Sequence, residues 1–146
     1  MNSNLVLELV KESDIKSLYY SYSEYLDYLK TINVKAQKPT LEQHTKLFMT
    51  YLHDNKNSPI KFWYVLKINN EMIGNISVKK NGEFGYKILD KFRGKEYATK
   101  MFEMFFKIHP QNTVWARTKS TNKLSQEILK KFGYELTDLE YHYKNT

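Results

Sequence analysis

Apolar and polar positions along the chain fall into segments whose period changes several times. Residues 5–10, Leu-Val-Leu-Glu-Leu-Val, form a short apolar run rich in strand formers, and Ser13 or Asp14 behind it offers a helix N-cap. Over 14–30, Ile15, Leu18, Tyr19, Tyr22, Leu26 and Leu29 recur at spacings of three and four, the period of an amphipathic helix. Its tyrosines suit core and surface packing better than a substrate site. Thr40 and Gln43 form a capping box ahead of a second helix, 41–53, and 53–59 has the composition of a loop. From there the texture becomes strand-like in three consecutive segments, FWYVLKINN, MIGNISVKK and EFGYKIL. Asn81-Gly82 joins the second to the third and is a strong hairpin signal, so an antiparallel meander is expected.

Helical period returns after Gly94. Tyr97, Ala98, Met101, Phe102, Phe105 and Phe106 predict a helix from about Lys95 to Ile108, stopped by His109-Pro110. Residues 113–118 read as a strand. A last helix has Thr121 or Asn122 as its cap, Leu124, Ile128 and Leu129 on one face, and Gly133 at its C-terminal end. The alternating stretch after it suggests one or two closing strands. The element order is therefore β α α β β β α β α β(β). A strand, a helix and another strand ask for a right-handed parallel crossover, which makes 83–118 a βαβ unit in the middle of a mixed sheet.

The junction before that third helix carries candidate chemistry. A glycine-containing turn leads into a helix whose first amides lack internal partners and whose dipole adds positive charge. Lys91, Arg93 and Lys95 flank Gly94. Such a place suits an anion, here a phosphate or pyrophosphate. The competing reading is a basic surface turn in which Gly94 serves geometry alone. Neither a P-loop nor the three spaced glycines of a Rossmann turn is present.

Composition narrows the classes. The chain has 146 residues, 41% hydrophobic and 15% aromatic, which suits one folded domain spanning 1–146. Net charge is +7, from 23 Lys+Arg against 16 Asp+Glu, and favours an anionic partner. Lysine is spread along the chain, however, and aromatics sit at apolar helix and strand positions, so neither nucleic acid nor a membrane is the expected partner. The absence of cysteine excludes disulfides, a thiolate nucleophile and a Cys-based zinc site. His44, His53, His109 and His142 form no metal-binding pair on a helix face. The N-terminus lacks the pattern of a signal peptide and no apolar run is long enough to span a bilayer, so a cytoplasmic location is expected.

The junction and the segment after it together carry a resemblance. KFRGKEYA resembles the Q/R-x-x-G-x-G/A loop of the GNAT superfamily of acyl-CoA-dependent N-acyltransferases, with Lys91 at the Q/R position, Gly94 at the glycine and Glu96 where Gly or Ala is usual. Downstream, Asn122, Ser125, Leu129, Lys131, Gly133 and Tyr134 match N-x-x-[AS]-x-x-x-[YL]-x-K-x-G-[FY]. The ribosomal-protein and amino-sugar acetyltransferases are the similar types. The resemblance spans nearly the whole chain and implies an α/β (α+β) fold, with a mixed, mainly antiparallel sheet of six to seven strands flanked by about four helices.

It also implies a site. Two parallel strands, near 83–90 and 113–118, would splay into a V that receives the pantetheine arm of acetyl-CoA, the co-substrate. The backbone of Ile88 and Leu89 would pair with pantetheine, and an N–H there would polarise the thioester carbonyl. Arg93, Gly94, Lys95, Glu96, Tyr97 and Ala98 would hold the pyrophosphate, and Asn122 would contact the arm. Many members have a tyrosine at the position of Leu129 as acid for the leaving thiolate; Ser125, a water, or one of Tyr134, Tyr141 and Tyr143 would serve here. The base for the amine would be Glu83, at the start of its strand, or a water chain. Glu83 also reads as an exposed charge at a hairpin end, His142 as a structural residue, and Trp63 and Trp115 as packing residues.

The expected activity is direct acetyl transfer to a primary amine within a ternary complex. The acceptor is a small molecule such as an amino sugar, or a protein α-amine or lysine, and the protein is a monomer or homodimer. A non-catalytic module holding CoA or another anion is the alternative.

Overall fold

In a computed structural model, described for residues 4–31, 33–35, 37–110, 115–117, 123–138 and 142–145, strands and helices follow the predicted order. β1 (Leu5–Leu9) leads through a 3-10 turn at Glu12–Asp14 into α1 (Ile15–Thr31) and then α2 (Leu41–His53). β2 (Ile60–Ile68), β3 (Glu71–Lys79) and β4 (Phe84–Ile88) form the meander. After α3 (Tyr97–Ile108) come β5 (Trp115–Arg117), α4 (Lys123–Lys131), β6 (Tyr134–Asp138) and β7 (His142–Asn145). Asn122, Thr121 and Tyr141 lie outside the described residues, as do the side chains of Trp115, His142 and Tyr143.

Helix ends show how local chemistry sets the boundaries. The capping box before α2 is reciprocal: Gln43 N–H donates to Thr40 Oγ1 at 3.1 Å and Thr40 N–H to Gln43 Oε1 at 2.9 Å. Asp14, expected as the cap of α1, works backwards instead. Its carboxylate accepts the Lys11 N–H at 2.9 Å and an ion pair from Lys67 at 2.8 Å. Lys67 is buried and also meets Glu8 at 2.7 Å; two carboxylates offset the desolvation of one ammonium.

Among the described residues the expected single mixed sheet of six to seven strands is not found. Their strands form two antiparallel sheets, β1-β2-β3-β4 and β5-β7-β6. β4 and β5 touch but pair with different partners, β4 with β3 and β5 with β7. Periodicity reports which face a strand buries; it is silent on which strands share a ladder.

The four-stranded sheet is covered on both faces. Leu66, Ile76, Val78, Phe84 and Ile88 meet Met101, Phe102 and Phe105 of α3 and Leu129 of α4. Val65 and Met72 face the other way, onto Val10, Leu18 and Phe48. A bulge places Leu66 opposite Gly74 but Lys67 opposite Met72, and so shifts the alternation by one, bringing Ile73 into the same core as Ile76 and Val78.

Candidate active site

The end of β4 is where the sheet stops. In the antiparallel ladder with β3, Leu89 N–H bonds to Ile73 O at 2.9 Å and Lys79 N–H to Glu83 O at 2.7 Å, so the odd residues of β4 face β3. Hydrogen bonding alternates along such a strand. The N–H and C=O of Tyr86 and Ile88 therefore point away from β3, towards the side where the ladder ends. Ile88 and Leu89, expected to pair with pantetheine together, are thereby divided. Ile88 offers its backbone outwards, whereas Leu89 N–H is already given to Ile73.

Beyond Leu89 the chain makes a 3-10 turn over Asp90–Phe92, closed by Phe92 N–H to Leu89 O at 2.9 Å. Glu24 of α1 caps this turn, its Oε1 accepting the Asp90 N–H at 3.0 Å. Gly94 follows at φ +78°, and a Cβ built there meets nothing within 4 Å. The space over this glycine is open, as an approaching ligand requires.

α3 begins at Tyr97, two residues later than expected, because Glu96 takes left-handed angles, φ 62° and ψ 18°. Its carbonyl accepts Lys100 N–H at 3.1 Å, closing the first helical turn. The amides of Tyr97, Ala98 and Thr99 precede that bond and have no acceptor within the helix. No acidic side chain stands in this first turn and Glu96 makes no side-chain cap. The open glycine and the bare helix start thus form one row of backbone donors, separated from the outward Ile88 by a turn whose Leu89, Asp90, Phe92 and Arg93 N–H groups are already given.

The cations beside this row are met by carboxylates. Lys91 pairs with Glu71 at 3.0 Å and lies over the Phe92 ring at 5.0 Å. Arg93 Nε is 3.2 Å from Asp90 and 3.5 Å from Ile88 O. Lys87 reaches Glu24 at 3.4 Å and Asp90 at 3.3 Å. Exposed pairs of this kind contribute little, about 0–1 kcal/mol, so a multiply charged anion can compete for Lys91 and Arg93. Lys95 and Glu96 are exposed.

The three candidates for proton transfer are far from equivalent. Tyr134 is buried against Phe84 and Phe106; its hydroxyl has no hydrogen-bond partner among the described residues, and burial pushes the phenol strongly up. That is a packing position. Glu83 stands at the hairpin end, 3.5 Å from Lys79, with its side chain 14% exposed, which corrects the expectation of a fully solvated charge. Five residues separate it from Ile88, roughly 16 Å along an extended strand, so both cannot act on one carbonyl. Ser125 is joined to β4 through a 2.6 Å hydrogen bond between its Oγ and the Tyr86 hydroxyl. Leu129, four residues on, is buried in the core.

Tyr86 was not among the expected residues. Its signal was present, since it shares the face of Ile88 two residues away, but period two cannot distinguish a core tyrosine from one reaching a neighbouring helix. Glu24 was also absent from the expectations; its contact spans 66 positions. Among the described residues no cluster of His, Asp or Glu is placed to hold a metal ion, and no helix is long and apolar enough to cross a membrane.

Comparison with known proteins identifies the family and the fold. No curated protein sequence matches the chain. Among solved structures, RimL, a ribosomal L7/L12 alpha-N-protein acetyltransferase in complex with coenzyme A, superposes with a TM-score of 0.74 at 15% identity, covering 98% of this chain and 94% of that one. YncA of Salmonella typhimurium, a putative acetyltransferase solved with its cofactor acetyl-CoA, gives 0.72 at 10% identity, over 97% and 91%. A chimera of Vibrio cholerae spermidine N-acetyltransferase SpeG and hSSAT gives 0.73 at 14%, over 98% and 95%. At these identities the likeness is one of fold. The acetyltransferase (GNAT) domain family matches residues 4–135, and the chain belongs to that family.

Proposed function

We propose that the protein is an acetyl-CoA-dependent N-acetyltransferase that moves an acetyl group directly to a primary amine. The observation that carries this is the outward backbone of Ile88, where β4 leaves the ladder, together with the row of donors from Gly94 to the start of α3. Pantetheine runs along the outward edge of β4, paired with the backbone of Ile88, while Leu89, its N–H given to Ile73, holds the strand end in place. The pyrophosphate sits over Gly94 on the amides of Lys95 to Ala98, with Lys91, Arg93 and Lys95 as counter-charges, and Asn122 contacts the arm.

An N–H fixed at Ile88 stabilises the oxyanion as the amine attacks the thioester, an effect of a few kcal/mol on the barrier. Alignment of the two substrates contributes the rest. The amine first loses a proton. With Glu83 distant from Ile88, a water meets the amine and Glu83 takes the proton at the far end of a chain. Ser125 faces the departing sulfur as proton donor. Tyr134 supports the site from the core. With no cysteine to carry the acyl group, transfer occurs in a ternary complex.

The acceptor we favour is a small amine such as an amino sugar, because the described elements add little to the domain for gripping a macromolecule. RimL acts on a protein α-amine and SpeG on spermidine, so peptides and polyamines belong in the same panel. Thiol release from acetyl-CoA is the test, run with amino sugars, polyamines, free lysine and a short peptide. Turnover with one class names the acceptor. CoA binding without turnover for any amine replaces the enzyme by a CoA-holding module.

A further inference from the structure

We infer that Tyr86 supplies, through Ser125, the proton taken up by the departing CoA thiolate. This rests on the acetyltransferase reading above and assigns a relay residue within it.

Tyr86 lies on β4 between Phe84 and Ile88, on the face turned to α3 and α4. Its ring packs edge-on against Phe102, with centroids 4.8 Å apart, which fixes where the hydroxyl stands. That hydroxyl is 2.6 Å from Ser125 Oγ, so the bond joins the last strand of the first sheet to α4. The outward backbone of Tyr86 and Ile88 lies along the same edge. Leu129, one turn beyond Ser125 on α4, is buried and has no proton to give. Among the described residues, the two bonded hydroxyls are therefore the exchangeable side-chain groups identified beside this part of β4.

A serine hydroxyl is a poor acid by itself. It can protonate sulfur only if another proton reaches its oxygen in the same event. The Tyr86 phenol is placed to send it, and a phenol's ordinary pKa, about 10, is near enough to a thiol's, about 8.5, for the transfer to be reversible. Burial is the largest influence and holds the Tyr86 phenol above its ordinary value, while the Ser125 hydrogen bond and the Arg93 charge pull it only part of the way back. Arg93 is held at that end of β4 by Asp90 and Ile88 O.

The step balances. As the C–S bond breaks, an S–H bond forms with the Ser125 proton, the Tyr86 proton moves to Ser125 Oγ, and a phenolate remains. Solvent returns a proton to the phenolate. An ammonium acceptor sheds two protons in becoming an amide; one replaces that supply and the other stays in bulk water.

Tyr86→Phe removes the hydroxyl and keeps the ring on Phe102. In the full chain, kcat for thiol release is expected to fall by at least ~100-fold, the lower end of what a positioned acid contributes, with KM for acetyl-CoA nearly unchanged. The alkaline limb of the kcat–pH profile should disappear. Ser125→Ala should give the same loss, the double variant no further loss, and Ser125→Thr, which keeps a hydroxyl, should recover most of it. A Tyr86→Phe enzyme with a lower melting temperature but wild-type kcat and alkaline limb makes the bond a structural tie; that overturns the relay and leaves the acetyltransferase standing. Wild-type protein that neither binds CoA nor releases thiol with any amine overturns both.

Discussion

Glu96 was conspicuous in the sequence for its charge, standing beside an expected pyrophosphate; its backbone adds a second reason. At φ 62° an L-residue is strained by about 1–2 kcal/mol, which glycine avoids. Glu96→Gly should therefore raise stability by about 0.5–1 kcal/mol after the extra chain entropy of glycine is subtracted, and should tighten CoA binding by removing a like charge. Thermal melts and calorimetric titration with CoA measure the two effects separately. Lower stability in the variant would mean the carboxylate has a compensating partner. Gly74 gave no comparable signal, because its constraint comes from a strand paired fourteen positions away. A Cβ there would lie 2.6 Å from both Ile88 Cδ1 and Lys87 O. The side chain can turn, but the backbone oxygen can move only by shifting β4. Gly74→Ala should cost about 1–3 kcal/mol, as overpacking does, seen as a lower urea midpoint at unchanged slope. It should also weaken acetyl-CoA binding, since Ile88 is displaced.

At the scale of elements, the helices and strands were readable because each buries one face, and the burial periods of 3.6 and 2 are written in the residue types. The capping box of α2 was readable for a similar reason, its two partners being three residues apart. Contacts made at long range were not. The break between β4 and β5 depends on which backbone groups find partners, and the late start of α3 depends on one dihedral angle. The Glu24 clamp joins α1 to the turn after β4, so it ties the two sides of the proposed site together: Lys87 and the Asp90 N–H both converge on one carboxylate. Glu24→Ala leaves that N–H without its acceptor and Lys87 with Asp90 alone. A loss of about 1 kcal/mol in stability is expected, together with a several-fold rise in KM for acetyl-CoA and little change in kcat, because the change acts on the turn's shape and not on the reacting atoms. A fall in kcat at constant KM would separate Glu24 from the turn.

For the whole molecule, composition pointed to a folded domain with a taste for anions, but net charge did not locate the site; backbone amides and one open glycine define it more sharply than the surplus of lysine. Composition was also silent on how stability depends on pH, which follows from where histidines are buried. His44 on α2 lies among Tyr19 and Tyr22 of α1 and Phe48 of its own helix, with Nε2 lacking a partner among the described residues. Burial lowers its pKa from 6.5 to about 4. The folded state thus favours neutral imidazole while the unfolded chain takes up a proton near 6.5. The contribution is complete above that value and lost as pH falls from about 6.5 towards about 4, to a total of ~3 kcal/mol. His109, which burial and Lys61 also lower, adds loss in the same direction. His44→Phe keeps an aromatic ring in the cage and removes the titration. Urea unfolding of both proteins from about pH 7 to about pH 4.5 isolates the histidine: the stability of wild type relative to the variant should decline steadily across that interval, and a constant difference would mean that the ring is hydrated or protonated in the native α1–α2 packing.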